Sequence, residues 1–586
     1  NAKDAAGNSP LQWAALGGHL EAVRCLVEKG ADVNAADGHS DTALHEAAAA
    51  NHGEVVAYLC EHGARVDHAN YKKKTPLHLA AVAGATAAVK ALVKHGAALE
   101  ARDDRGRTPL VLGAREKGGP EVARLLLAAG ADVRARDDFG SDALELAAWR
   151  GTANVVDVLL DYKAPVPTQE RAASQMLSFS AEGGLTRLFR LLVAQGADPT
   201  RPNGKEGTLL HDAAAGGSAE ILADLIDKGL DVRAKDRYGW TPAHYAALEG
   251  REAPLKTLLG KGADPNARNV MGQSPLNVAE EGGHAALKAL LLAAKADPGP
   301  VQFPVLNGDH AGQAPPGRTP KVFAQGIVSS IWGLHSTVAF SPDGNEAFWS
   351  PMDPKSPALL TMKRVNGQWK APVRASFSSA HRDDVPFFAP DGKRLYFLST
   401  RPIPGHRKPG YENIWFVDRT ASGWSEPRPL GSEVNALEMH WQFSVDRTGS
   451  VYFGSHDPRG KGGGDIWLSR FENGKHLAPE NLGAPINTAQ AEGEPFIAPD
   501  GSYLLFSRDM DLYVSFLRKD GGWAEPQPLG PGINTRAYEL CPQLSADGRY
   551  LFFLSSRTGE NAAFWVEAGF LEEMKKTARL QEDPPK

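Results

Sequence analysis

The chain has 586 residues, of which 42% are hydrophobic and 23% charged, a composition typical of a folded protein larger than one domain. The net charge of −6 argues against nucleic acid as a partner, because proteins that bind it carry basic surfaces. No apolar run of about 18 residues occurs, so no membrane span is predicted, and three cysteines are too few for a disulfide framework or a multi-cysteine zinc site.

The composition changes near residue 300. Residues 1–300 contain 3 of the 22 Phe and 3 of the 12 Trp, and they are rich in Ala and Leu. Ala and Leu favour helices, whereas the aromatic and β-branched runs of the second part favour strands. The sequence therefore predicts a helical domain followed by a β domain, joined by a Pro/Gly-rich linker over residues 298–319.

The first part repeats with a period of 33 or 34 residues. A Gly-Ala-Asp-like signal begins at Gly30, Gly63, Gly96, Gly130, Gly196 and Gly262, with weaker copies at Lys163, Gly229 and Lys295. Before each copy stands a tetrad like Thr-Pro-Leu-His at 75–78, in which Pro suits the first turn of a helix. This pattern resembles the ankyrin repeat family. The resemblance implies an all-α solenoid of about nine repeats over residues 1–297 that binds a protein partner in its groove.

Two departures from the repeat carry expectations. Residues 1–4 match the tail of a repeat, so we expect the array to be truncated at its N-terminus. The fifth and sixth repeats lack the usual signals around Lys163, so we expect a local irregularity there. By resemblance, the tetrad histidines are structural and bond the backbone of the neighbouring repeat; they are His45, His78, His211 and His244.

The second part contains five strand–turn–strand units. Their turns are mostly Pro-Asp-Gly or Ala-Asp-Gly and end at Gly344, Gly392, Gly449, Gly501 and Gly548. Further strands follow each turn, which gives four per unit and predicts an all-β propeller over residues 320–570. The last unit lacks a fourth strand, so we expect the segment 320–328 to complete it and close five blades. Residues 571–586 are predicted to form a short helix and a polar tail. The units resemble the PD40 (WD40-like, TolB-type) propeller repeats of bacterial proteins.

One set of equivalent positions in the blades carries residue types that can bind a metal ion or act as general acids and bases. Nine residues before the turn glycines stand His335, Asp383, His440, Glu492 and Glu539. Asparagines lie five residues earlier in three blades, at Asn435, Asn487 and Asn534, and arginines follow three second strands, at Arg401, Arg508 and Arg557. All are expected near one mouth of the channel. The ring of five could hold one divalent cation such as Ca²⁺, Mn²⁺ or Zn²⁺, could supply a general acid and base, or could simply cap strands.

These patterns leave two functions open. The first is a non-enzymatic binding or scaffold protein, with a protein partner on the ankyrin groove and a small polar or cationic ligand at the propeller mouth. The alternative is a metal-dependent hydrolase or lyase that acts on a carbohydrate or glycan at that mouth. By resemblance to TolB-type proteins we expect a periplasmic or secreted location, and a cytoplasmic one stays open.

Overall fold

The computed structural model describes residues 3–4, 7–116, 118–353, 358–403, 412–437 and 439–582, with the backbone alone at 439–441 and 579–582. The chain forms two compact units. One comprises Asn1–Lys235, Thr241–Ala267 and Pro275–Pro298, and the other comprises Asp236–Trp240, Arg268–Ser274 and Gly299–Lys586. In the described ranges, no helix is long and apolar enough to cross a bilayer.

Helices in nine pairs build the described part of the first unit. First helices contact the first helices of adjacent repeats, and second helices contact second helices, which gives two layers. The first helices are α1 (Pro10–Leu16), α3 (Ala43–Ala49), α5 (Pro76–Ala83), α7 (Pro109–Arg115), α9 (Ala143–Trp149), α11 (Glu170–Glu182), α13 (Leu209–Gly216), α15 (Pro242–Leu248) and α17 (Pro275–Glu281). The second helices are α2 (Leu20–Glu28), α4 (Gly53–Glu61), α6 (Thr86–Lys94), α8 (Gly119–Ala128), α10 (Ala153–Asp161), α12 (Thr186–Ala194), α14 (Ala219–Asp227), α16 (Glu252–Gly260) and α18 (Ala285–Ala293).

The tetrad histidines are structural, as predicted. In α5, the backbone N–H of Thr75 donates to His78 Nδ1 at 3.1 Å, so the other ring nitrogen carries the proton. His78 Nε2 then donates to the carbonyl of Arg107 in the next repeat at 3.0 Å, and His45 does the same to Lys74 at 3.1 Å. Burial lowers the pKa of both histidines. Each ring therefore joins two repeats as a neutral hydrogen-bonding group.

The loops before most first helices are short fingers closed by an Asp or Asn side chain. Asp137, for example, accepts the backbone N–H groups of Phe139 at 3.0 Å and Ser141 at 2.9 Å. The finger between α10 and α11 is missing. Residues 163–167 read Lys-Ala-Pro-Val-Pro, and α11 has 13 residues where other first helices have 7 or 8. The expected irregularity is thus an extended segment and a longer helix in place of a finger.

Five sheets form the blades of a propeller in the second unit. The first blade has β3 (Ala339–Phe340), β4 (Glu346–Trp349), β5 (Leu360–Val365) and β7 (Val373–Arg374), and it also carries β1 (Leu306–Asn307) and β6 (Gln368–Trp369). The second has β8 (Asp383–Phe388), β9 (Arg394–Ser399), β10 (Asn413–Thr420), β11 (Gly423–Trp424) and β12 (Arg428–Pro429). The third has β13 (Met439–Val445), β14 (Val451–Ser455), β15 (Asp465–Ser469) and β18 (Glu480–Asn481), with a hairpin of β16 (Phe471–Glu472) and β17 (Lys475–His476). The fourth has β19 (Glu492–Ile497), β20 (Tyr503–Arg508), β21 (Asp511–Phe516) and β22 (Gln527–Pro528).

The fifth blade closes the ring with a strand from the start of the propeller. It contains β23 (Glu539–Leu544), β24 (Tyr550–Ser555), β25 (Ala562–Glu567) and β2 (Lys321–Val322). Val322 lies opposite Phe564, and the N–H of Phe323 donates to the carbonyl of Ala563 at 2.7 Å. This confirms the predicted closure, which pairs the last long strand and removes a free edge.

Aromatic side chains fill the space between neighbouring blades. Phe443 and Phe453 of the third blade lie in one buried cluster with Phe496 of the fourth and Phe553 of the fifth. The C-terminal helix α19 (Phe570–Glu582) packs Leu571 and Ala578 on the same cluster. Strand β1 pairs with β6 from within the predicted linker, so part of that segment is ordered against the first blade.

Candidate functional site

Three asparagines at the ends of fourth strands bind backbone. The Asn487 side chain accepts the N–H of Ile466 at 2.8 Å and donates to the carbonyl of the same residue at 2.8 Å. Asn435 makes the same pair of bonds to Ile414, at 2.9 and 3.3 Å, and Asn534 makes it to Leu512, at 2.9 and 3.0 Å. Each asparagine amide thus takes the place of a neighbouring strand for one residue of the third strand. Their oxygens are therefore occupied by the fold.

The ring acids lie at the mouth, where first strands begin and second strands end, and each contacts the predicted arginine of its own blade. These three acidic residues are buried, each with an exposure of 2% or less. The pairs are Asp383 with Arg401 at 2.6 and 2.9 Å, Glu492 with Arg508 at 2.8 Å, and Glu539 with Arg557 at 3.1 Å. Burial raises the pKa of Asp383, and the charge of Arg401 opposes that effect. The sequence predicted these acids and arginines as neighbours of one mouth but did not show that they pair within each blade.

Threonines complete the surroundings of two of these acids. Thr488 donates its N–H to Glu492 at 3.0 Å and its hydroxyl at 2.6 Å. Thr535 does the same for Glu539, at 2.9 and 2.8 Å. Each carboxylate therefore has hydrogen bonds at both oxygens. A metal ion at either position would have to displace some of these donors.

His335 lies in a second cluster, with Asp384 and Arg382. Its Nδ1 lies 2.6 Å from Oδ2 of Asp384, and Arg382 approaches its Nε2 at 2.5 Å. Burial acts to raise the pKa of Asp384, but hydrogen bonds with His335 and Ser350 outweigh it and hold that pKa below its usual value. Asp384 was not singled out from the sequence. It directly follows the ring position in β8, and that adjacency was the available signal.

The ring as a whole is only partly described. The His440 side chain lies outside the described residues, whereas its backbone pairs with Gly454 in the third blade. Among the residues that are described, no group of three or more His, Cys, Asp or Glu could hold a metal ion. The structure brings each acid together with an arginine and His335 together with Asp384.

A further buried acid, Glu494, lies two residues after the ring residue Glu492 in strand β19. The register of β19 shifts between Gly493 and Phe496, and Glu494 there has a φ of 48°. Val385 and Cys541 adopt similar positive φ values at the same bulge in β8 and β23. A bulge redirects side chains locally, and no period-2 pattern reveals it, which is why sequence reasoning missed Glu494.

Glu494 is 7% exposed and forms part of the wall of a cavity of about 330 Å³. Its carboxyl accepts a hydrogen bond from the Ser507 hydroxyl. Burial raises the pKa of Glu494 to about 7, against the opposing effect of Ser507. Burial, with added effects from Glu494 and Asp384, raises the pKa of the Cys541 thiol well above its usual value. That thiol is therefore protonated and a poor nucleophile near neutral pH.

The repeat array carries large exposed aromatic side chains on fingers and first helices. Trp13, Tyr71, Phe139 and Trp149 are 55%, 59%, 78% and 53% exposed. Trp13 and Trp149 lie on α1 and α9, and Tyr71 and Phe139 lie at fingers. Exposed aromatic rings are the residue type that most often anchors protein–protein contacts.

The missing finger leaves a small cavity in the array. It has a volume of about 100 Å³ and is lined by Pro165, Pro167, Met176 and Phe179 together with charged groups that include Glu145. Glu145 occupies the position of a tetrad histidine. It therefore has a carboxyl where His45 and His78 have a ring N–H that donates to the next repeat.

A family model described as ankyrin repeats (3 copies) matches residues 1–70, 66–137, 177–269 and 210–302. The unmatched stretch between residues 137 and 177 includes the segment between α10 and α11, where the finger is missing. A comparison with curated proteins found no match.

Proposed function

Because the chain joins ankyrin repeats to a five-bladed propeller, an architecture that fits a protein-interaction scaffold, we propose that it is a non-enzymatic binding protein. In this proposal the ankyrin array holds a protein partner, and the propeller mouth binds a small polar or cationic ligand. The observation that carries the proposal is the set of exposed aromatic rings on fingers and first helices. Rings that are exposed in the free protein become buried when a partner docks.

A photo-crosslinking experiment tests the protein partner. Benzoylphenylalanine is placed at Phe139 on a finger and, as the matched control, at the exposed Lys90 on second helix α6. We expect a discrete protein from the source cells to crosslink at position 139 and not at position 90. Replacing Trp13, Tyr71 and Trp149 with Ala should reduce that product. An identical set of products at both positions would contradict the proposal.

The arrangement of the ring acids also bears on the enzymatic alternative. Asp383, Glu492 and Glu539 each face an arginine of their own blade, so the oxygens of these carboxylates are already engaged by charged hydrogen-bond donors. This geometry favours ligand binding over acid–base catalysis. A hydrolase or lyase acting on a carbohydrate would need other groups to perform proton transfer.

The predicted divalent cation at the ring stays a proposal, based on residue types alone. The arginine pairs do not favour it, because Ca²⁺, Mn²⁺ or Zn²⁺ would need carboxylate oxygens that already accept hydrogen bonds. Metal content measured by mass spectrometry tests it. About one equivalent, lost in His335→Ala/His440→Ala, would support the cation; no metal in either folded protein would contradict it.

We also propose a periplasmic or secreted location, supported by the resemblance of the blades to PD40-type repeats alone. Fractionation of source cells, with a cytoplasmic enzyme as the marker, tests this location. Recovery with the cytoplasmic marker would contradict it.

A further inference from the structure

Glu494 differs in charge pairing from the other buried acids of the mouth. Asp383, Glu492 and Glu539 each have an arginine partner. Within the described residues, no Lys, Arg or His forms an ion pair with Glu494, and its carboxyl accepts a hydrogen bond from Ser507. A buried carboxylate without a cation is costly. A bound ligand with a positive charge would therefore stabilise the Glu494 carboxylate.

The cavity beside Glu494 has the size and lining of a small-molecule site. Its volume of about 330 Å³ lies near the lower end of the range of about 300–1,000 Å³ for ligand pockets. Residues of the third, fourth and fifth blades line it, among them His456, Glu494, Asp509, Met510 and Leu540. Met510 is 62% exposed, so the cavity has an apolar and accessible side.

We propose that this cavity binds a small primary amine in its ammonium form, with the Glu494 carboxylate as the counter-charge. The ammonium group donates up to three hydrogen bonds, and Asp509 offers a second carboxylate at the cavity wall. Leu540 and Met510 contact the carbon skeleton of the amine. A charge-assisted bond to a buried carboxylate is stronger than a neutral one, so it selects the ammonium over a neutral analogue.

Other ligand classes fit the same cavity less well. An anion would face Glu492, Glu494 and Asp509, which all line it. A neutral ligand would leave Glu494 without a counter-charge. Ca²⁺ takes six to eight oxygen ligands, and the described residues contain no cluster of three metal-binding side chains.

This inference rests on the ligand site of the proposed function at the propeller mouth and is independent of the partner on the ankyrin array. Crosslinking at position 139 tests the array, whereas amine binding tests the cavity. Either experiment can therefore fail while the other succeeds.

Ligand-observed NMR on the full chain provides the test, with methylamine, butylamine and benzylamine as probes and methanol, butanol and benzyl alcohol as their neutral analogues. We expect at least one amine to bind about tenfold or more tightly than its alcohol. We expect Glu494→Gln to abolish this preference, because the amide keeps the shape of the side chain and removes the charge. Glu525→Gln, at an exposed position of the same blade, should leave the preference unchanged.

Three results would overturn the proposal. One is that none of the amines binds at millimolar concentration. Another is that each alcohol binds as tightly as its amine. The third is an amine preference that survives in Glu494→Gln when circular dichroism shows the variant to be folded. Competition by Ca²⁺ in place of the amines would point instead to a metal site.

Discussion

Single polar side chains replace backbone partners in both units of this protein. The His78 ring joins a threonine cap to the carbonyl of Arg107 in the next repeat. The Asn487 amide binds both backbone groups of Ile466 at the edge of a blade. Because these contacts satisfy buried groups, their loss leaves unpaired donors and acceptors.

Replacing Asn487 measures the value of one such contact. Asn487→Ala removes the bonds to Ile466 and to Asn481. We expect it to lower the free energy of unfolding by roughly 1–3 kcal/mol. Asn487→Asp keeps the acceptor but places a buried carboxylate oxygen against the oxygens of Ile466 and Asn481, so it should be at least as destabilising as the alanine variant. Urea unfolding followed by tryptophan fluorescence measures this; an unchanged midpoint in Asn487→Ala would show that the contact contributes nothing.

Asp212 makes the stability of the ankyrin array depend on pH. Burial raises the pKa of Asp212 from 3.8 to about 7, although Asn203 and Ser178 oppose the shift. Between about pH 4 and pH 7, the folded array therefore holds a proton that the unfolded chain has already released. The contribution to stability is fully present below about pH 4 and is lost as the pH rises to 7.

Asp212→Asn should remove that dependence. We expect the variant to be more stable than wild type by roughly 2–4 kcal/mol at pH 8 and equally stable near pH 4. Helical circular dichroism during urea unfolding at several pH values measures the difference. Asp227→Asn, at an exposed position on α14, is the control. A parallel pH profile for Asp212→Asn and wild type would contradict the assignment.

Two lysines occupy left-handed backbone at the ends of second helices, where most repeats have glycine. Lys295 has a φ of 66°, and Gly262 at the equivalent position has a φ of 89°. A residue with a Cβ pays a steric cost there. We expect Lys295→Gly to stabilise the array by about 1 kcal/mol and Lys261→Gly, at a negative φ, to destabilise it. Urea midpoints compare the two, and destabilisation by both would contradict the argument.

At the scale of elements, the periodic signals and the break in the repeat near Lys163 were visible in the sequence, whereas the bulges in the first strands of the blades were not. The 33-residue repeat and the five Asp-Gly-like turns indicated helix pairs and blades correctly. The bulge that directs the Glu494 side chain toward the cavity depends on one extra residue in β19. No pattern of residue types in the sequence indicates this bulge. Likewise, the sequence did not show the pairing of the ring acids with Arg401, Arg508 and Arg557, because that pairing arises from strand register.

The ion pair between the first and second strands of the fourth blade gives a prediction at this scale. Arg508→Met leaves Glu492 buried without its cation and also removes bonds to the carbonyls of Pro485 and Ile486. We expect a loss of roughly 3–5 kcal/mol. Adding Glu492→Gln should restore part of the loss, because no charge then stays buried. Urea unfolding of the two single variants and the double variant tests this, and additive losses would contradict it.

At the scale of the whole molecule, strand β2 determines whether the propeller closes. Lys321→Pro removes the backbone N–H of the residue paired with Trp565 of β25, and Val373→Pro does the same for the residue paired with Thr361 in the equivalent short strand β7, which does not close the ring. We expect Lys321→Pro to lower the melting temperature further and to cause more aggregation, because it exposes the edge of β25. Light scattering during heating compares them, and equal behaviour of the two variants would contradict the prediction.

The closure also has a consequence for synthesis on the ribosome. Strand β2 leaves the exit tunnel early, whereas its partner β25 emerges more than two hundred residues later. At about 5–20 residues per second, this delay amounts to roughly ten to fifty seconds. During that time the nascent chain gains the first four blades one after another and has no closed ring. Completion of this propeller is therefore a late event, timed by translation of its C-terminal end.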